Sequence, residues 1–182
     1  MYFCKGRFCS LEELCDNNIQ NLYILLGDNK EDYTFFVDSN YSHETYELFL
    51  KRVQKWFLKG RSFQFLVRNL SGSFVGTIFF YNLNTELNSV KISCFFGKDY
   101  HKKLFVAESL GLSLIFARNI LNINNLTFSV YGTNENMLSF IKKLGFCIVS
   151  EKEEKTDRFD FLISNKNLNK ISHILSKLRR NS

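Results

Sequence analysis

Asn134 opens the amphipathic run Glu135 to Lys142, and Lys143-Leu144-Gly145-Phe146 closes it. Asparagine is a strong N-cap: its side-chain oxygen takes one orphan amide of the first helical turn and leaves other N–H groups facing outward. Such donors, at the positive end of a helix dipole, hold anionic groups. Gly145 suits the positive φ of a helix C-terminal cap. Leu126 to Tyr131 reads as a strand before this helix, and Phe146 to Ser150 as a strand after it. The unit is strand, capped helix, glycine stop, strand.

Other residue types could carry chemistry. The five cysteines are odd in number, and Cys4, Cys9 and Cys15 have no histidine near them in sequence. No complete metal site is expected, and reduced thiols in a cytosolic protein are the simpler reading. Cys94 reads as a buried small hydrophobe rather than a nucleophile. His43 and His173 read as surface or capping residues. The net charge is +6, part of it in Lys166, Lys170, Lys177, Arg179 and Arg180. That tail is either a solvated helix face or an attractor for a phosphorylated cofactor, RNA or nucleotide-linked substrate. No nucleic-acid motif supports the RNA version.

The elements that must position these residues follow from pattern. Ser10-Leu11-Glu12-Glu13-Leu14 resembles a capping box opening a first helix. Asp28-Asn29-Lys30 marks a turn. Glu44 to Leu58 forms a second helix, with Tyr46, Phe49, Leu50, Val53, Trp56 and Phe57 at spacings of three and four. Ser62 to Asn69 and Phe74 to Leu83 form a hairpin about Ser71-Gly72. After the polar loop Asn84 to Asn88, Val90 to Phe96 is a third strand. A helix from about Lys103 to Leu121 follows. Its apolar stretch from Leu104 is broken by Glu108, Ser109, Ser113, Arg118 and Asn119, so it reads as a buried helix and not a membrane span. A polar turn at Glu151 to Thr156, a strand at Phe159 to Ile163 and a C-terminal helix at about 168–178 complete the chain. The start lacks a secretory apolar core. At 182 residues with 45% hydrophobic content, one domain over 1–182 is expected. Its 20 phenylalanines must mostly be core or pocket lining.

The Asn134–Phe146 unit resembles the last conserved block of the GNAT acetyltransferase superfamily. The resemblance extends to Phe74-Val75-Gly76-Thr77-Ile78, to Tyr100 through Glu108, and to Asp160 in Arg158-Phe159-Asp160-Phe161. It covers about 62–163. It implies an α+β fold: a single mixed, mostly antiparallel sheet with splayed central strands and helices on both faces. It also implies acetyl-CoA as acyl donor, lying between Val90–Phe96 and Leu126–Tyr131. Cys94, Phe95 and Phe96 would offer backbone to the pantetheine arm. His101, Lys102, Lys103, Leu104, Phe105 and Val106 would hold the pyrophosphate. Asn134, Phe140 and Lys143 would contact or flank the cofactor arm.

The chain departs from the family pattern at several positions. His101 stands for an Arg or Gln, and Leu104 and Val106 replace small residues that let backbone approach phosphate. Lys102 and Lys103 could compensate through charge. The first splayed strand has no carboxylate, with Lys91 near its usual place, and Ile141 stands for the usual tyrosine. Tyr81, Tyr100, Tyr131 and Glu86 are the substitutes for proton transfer that the resemblance suggests. Two readings stay open: an acyl-CoA-dependent N-acyltransferase acting on a primary amine (a protein N-terminus, an amino sugar or a small-molecule amine), or a GNAT fold kept for binding or regulation. Oligomeric state is not readable.

Overall fold

Strands in this chain are marked by burial that alternates or runs unbroken. The computed structural model describes residues 3–27, 45–58, 62–100, 104–132, 134–143, 145–150 and 158–180. Strands β1 (Phe3–Lys5) and β2 (Cys9–Glu13) form an antiparallel hairpin, and β2 pairs β3 (Phe63–Asn69). Strands β4 (Phe74–Asn84) and β5 (Ser89–Phe96) extend the antiparallel ladder. Strand β6 (Asn125–Tyr131) joins β5 in parallel. Strand β8 (Arg158–Ile163) then inserts between β6 and the edge strand β7 (Cys147–Ser150). The result is one eight-stranded sheet, β1-β2-β3-β4-β5-β6-β8-β7.

The two faces carry separate cores. On one, Phe65, Ile78, Ile92, Leu126 and Phe161 pack with Leu110, Leu114 and Ala117 of helix α3 (Leu104–Asn119) and with Leu168 and Ile171 of helix α5 (Asn165–Arg180). On the other, Leu66 and Phe95 meet Leu22, Leu25 and Leu26 of helix α1 (Ile19–Gly27) and Phe49 and Val53 of helix α2 (Tyr46–Leu58). The first core explains much of the phenylalanine content. The ring of Phe116 lies 5.3 Å from Phe63, 5.0 Å from Phe65 and 6.4 Å from Phe80. Offset and edge contacts of this kind add about 0.5–1.5 kcal/mol each beyond their area. Helix α3 is buried on nearly every side over its second half, as its apolar run required. Among the described residues, no helix is long and apolar enough to cross a membrane.

One expected element is different. The capping box at Ser10 opens no helix, because Cys9–Glu13 is strand β2. Its true signal is period two: Cys9 and Leu11 are buried while Ser10 and Glu12 lean outward. Glu12 is bound across the ladder by Arg68 at 2.6 Å, so a cross-strand partner takes the carboxylate that a helix start would have used. Helix α1 begins later. Its entry turn is tied by Asn18, which accepts from the Cys15 amide at 2.8 Å and donates to the Glu13 carbonyl at 2.9 Å. The expected turn at Asp28 and the loop at Glu151 to Thr156 lie outside the described residues.

Gly76 is required by close approach. A Cβ there would run into the Phe96 ring and the Phe95 carbonyl, so the β4–β5 pair closes at this point only around glycine. Gly145 sits at φ +80, as the helix stop demands. Its carbonyl accepts from Asn167 Nδ2 at 2.8 Å, which ties the end of helix α4 (Glu135–Lys143) to the start of α5.

Candidate active site

Strands β5 and β6 pair only from Ser89 with Asn125 to Ile92 with Phe128. Beyond that point each keeps its outer partner. Residues 93–96 stay paired to β4, and 129–131 stay paired to β8. Among the described residues no strand lies between the two diverging edges, so the sheet opens into a gap beside 93–96.

The crotch of this gap holds a connected polar cluster on the face covered by α1 and α2. Tyr81 Oη donates to Ser129 Oγ at 3.1 Å, and Ser129 Oγ donates to Asp160 Oδ1 at 2.6 Å. Lys91 Nζ donates to Asp160 Oδ2 at 2.8 Å. The sheet register explains the convergence. Tyr81 pairs with Lys91 across β4 and β5, Ser129 pairs with Asp160 across β6 and β8, and these lie in adjacent rows of one face. Phe79 stacks on Tyr81 with centroids 5.6 Å apart and holds the phenol in place. The Lys91 and Asp160 side chains are 42% and 21% exposed, so the carboxylate is shielded yet reachable. On the same face Gln64 donates to Thr77 Oγ1 at 2.7 Å, and its buried Oε1 has no partner among the described residues.

Two helix starts face the gap's neighbourhood. Leu104 opens α3, and Phe105 and Val106 follow in its first turn. The Phe105 ring packs on Phe96 and Tyr100 at 6.4 and 5.9 Å, which ties this turn to the end of β5. Asn134 caps α4: its Oδ1 accepts from the Met137 amide at 3.1 Å, and its carbonyl accepts from the Leu138 amide at 3.0 Å. A shallow groove of about 560 Å³ runs along α4, lined by Glu135, Leu138, Ser139, Lys142 and Lys143.

The structure places the expected residues unevenly. Cys94, Phe95 and Phe96 lie on the diverging part of β5. Phe95 is buried against α1 and α2, and Phe96 is buried on the other face. Burial pushes the Cys94 thiol up to about 12, which suits a packed residue and not a nucleophile. Phe140 is half-buried against the core, whereas Lys143 borders the groove. His101, Lys102 and Lys103 fall outside the described residues. Among the proton-transfer candidates, Tyr81 enters the cluster and the Tyr131 backbone lies on the diverging end of β6. Glu86 is exposed in the β4–β5 turn, at the end of β5 opposite the gap. Tyr100 packs on Phe105.

Sequence reading missed Ser129 and the pairing of Lys91 with Asp160. The only available signal was weak: Asn125, Thr127 and Ser129 alternate with apolar Leu126, Phe128 and Val130 along β6, marking a polar stripe. Which carboxylate meets that stripe depends on β8 inserting beside β6, a nonlocal event.

Comparison with known proteins agrees with this geometry. The sequence matches the family described as an acetyltransferase (GNAT) domain over residues 11–147. No curated protein sequence matches the chain significantly. Its fold is similar to that of a spermidine N-acetyltransferase from Vibrio cholerae solved with CoA and spermine. The TM-score is 0.77 at 14% identity, covering 90% of this chain and 99% of that one. It is also similar to a ribosomal-protein-S5-alanine acetyltransferase from Vibrio fischeri, with a TM-score of 0.72 at 10% identity over 91% and 97% of the two chains. With a family match across most of its length and parted central strands in its sheet, the chain belongs to the GNAT acetyltransferases.

Proposed function

We propose that the protein transfers an acetyl group from acetyl-CoA to a primary amine, with the whole chain acting as one catalytic unit. The observation that carries this reading is the polar cluster Tyr81–Ser129–Asp160–Lys91 at the point where β5 and β6 part. The diverging edge of β5 at 93–96 suits the amide-rich pantetheine arm, and backbone N–H groups at the parting of the strands would polarise the thioester carbonyl. The first turn of α3 and the cap of α4 supply backbone donors for the phosphates and the arm.

In this reading Asp160 is the carboxylate missing from β5. A side chain on β8 reaches the same crotch, and Lys91 on β5 compensates its charge. Asp160 takes a proton from the acceptor ammonium and releases it to solvent, and the neutral amine attacks the thioester carbon. The C–N bond forms, the C–S bond breaks, and the CoA thiolate leaves with the electron pair. Asp160 then takes the second proton from the attacking nitrogen, and Tyr81 protonates the thiolate and regains a proton from Asp160 through the Ser129 hydroxyl, so one ammonium proton ends in solvent and the other on the thiol. Tyr81 thereby takes the general-acid role left open by Ile141.

The acceptor enters from the α1/α2 face. A protein N-terminus, an amino sugar and a small-molecule amine, polyamines included, are the acceptors to screen. The first experiment is calorimetric titration with acetyl-CoA, with desulfo-CoA as a check on thiol artefacts. Saturable micromolar binding followed by amine-dependent thiol release supports the proposal. Absence of binding up to millimolar acetyl-CoA would sink it and leave a GNAT fold kept for another ligand.

A further inference from the structure

Glu108 lies in α3, is only 2% exposed, and takes no part in the cluster described above. A carboxylate buried this deeply needs donors around it. It finds them in the turn between β1 and β2. Its oxygens accept from the backbone amides of Arg7 at 2.7 Å, Phe8 at 2.6 Å and Cys9 at 3.0 Å. The Cys9 thiol adds a fourth contact at 3.4 Å, and it also lies 3.7 Å from the Phe105 carbonyl. Burial, and then the adjacent carboxylate, push that thiol upward, so it stays a donor. Consecutive amides converging on one anion form a nest. Here the anion is supplied by the protein itself, about a hundred residues away in sequence. Gly6 seals the contact, because any Cβ on it would collide with the Glu108 carboxyl group.

The clamp acts at one end of α3. Glu108 stands one turn beyond Leu104, where the helix begins. The hairpin thus grips the helix immediately behind the amides that open it. We infer that Glu108 is a positioning residue: bound to the Arg7–Cys9 amides, it sets the direction of the α3 N-terminal amides toward the phosphates of the acyl donor. This rests on the acetyltransferase reading above. It also gives the β1–β2 hairpin a role in donor binding, although the hairpin lies at the far edge of the sheet from the gap. The fixed direction matters more here than in a glycine-containing loop, because Leu104 and Val106 cannot flex to meet a phosphate.

The test uses two variants of the full chain. E108Q keeps the size but turns an NH2 toward backbone donors. G6A leaves α3 untouched and presses on the carboxyl from the hairpin. Each is titrated with CoA, and amide hydrogen exchange is followed across the protein. The expected result is at least a tenfold loss of CoA affinity in both. Faster exchange should be confined to the Arg7–Cys9 amides and the second turn of α3, whose amides are the first to be bonded within the helix, with the core strands protected as before. A merely structural role would speed exchange through the core strands as well. That outcome, or loss of folding in both variants, overturns the inference. CoA affinity unchanged in a folded E108Q or G6A also overturns it, and overturns it alone. No CoA binding by the unaltered protein overturns the acetyltransferase reading beneath it.

Discussion

Replacing Asp160 with asparagine separates the chemical role of the cluster from its structural one. The side chain keeps its shape and can still accept from Ser129, but it loses its charge and its ability to take a proton. The structural cost is modest. The Lys91–Asp160 pair is partly exposed, so its loss is worth about 0.2–1 kcal/mol after solvent screening. The Ser129 bond to the carboxylate, at 2.6 Å, weakens from a charge-assisted to a neutral bond, a further loss of about 1 kcal/mol. Together these give about 1–2 kcal/mol, or a fall in melting temperature of about 2–8 °C for a chain of this size. The catalytic cost is larger, because loss of a general base lowers turnover by about 10²–10⁴. This corresponds to about 3–5 kcal/mol of barrier. The assay is thiol release from acetyl-CoA with a panel of primary amines, run beside a thermal melt and an acetyl-CoA titration. D160N should bind acetyl-CoA as the unaltered protein does and melt a few degrees lower, with turnover down at least a hundredfold. If D160N binds donor normally and turns over within threefold of the unaltered protein, the assignment of Asp160 as base is refuted.

Three further outcomes are expected. Gly76→Ala should lower stability by about 1–3 kcal/mol through overpacking against Phe96, and a denaturant titration that finds no change would show that the strands relax freely. Asn134→Ala should cost about 1 kcal/mol through loss of the helix cap, and donor affinity measured alongside will report whether that turn also contacts the ligand. The thiols should sort by burial: exposed Cys147 reacts first with a thiol reagent at pH 8, while Cys9 and Cys94, both pushed upward, resist until the protein unfolds. Because the folded chain holds these protons to higher pH than the unfolded one, their contribution is fully present below about pH 9. It falls as pH rises toward 12, so a melting temperature that rises across that window would contradict the burial argument.

Local pattern determined most of the elements. The spacing of Phe49 and Val53, the alternation in β3 and β4, and the Asn134 and Gly145 caps act over a few residues. Side-chain periodicity and φ preference therefore suffice to read them. The motifs of the Asn134–Phe146 unit also carried the family. Where two local codes overlap, tertiary structure chose: Ser10 to Glu13 fits both a capping box and a strand, and only pairing with Arg68 and burial of Leu11 made it β2. The site itself was the least legible part. Tyr81, Lys91, Ser129 and Asp160 come from four strands, and Glu108 meets its donors across about a hundred residues. Such contacts leave no periodic trace, because they are set by which strands lie side by side. A sequence displays its residues in chain order, whereas an active site is assembled in the order of the sheet.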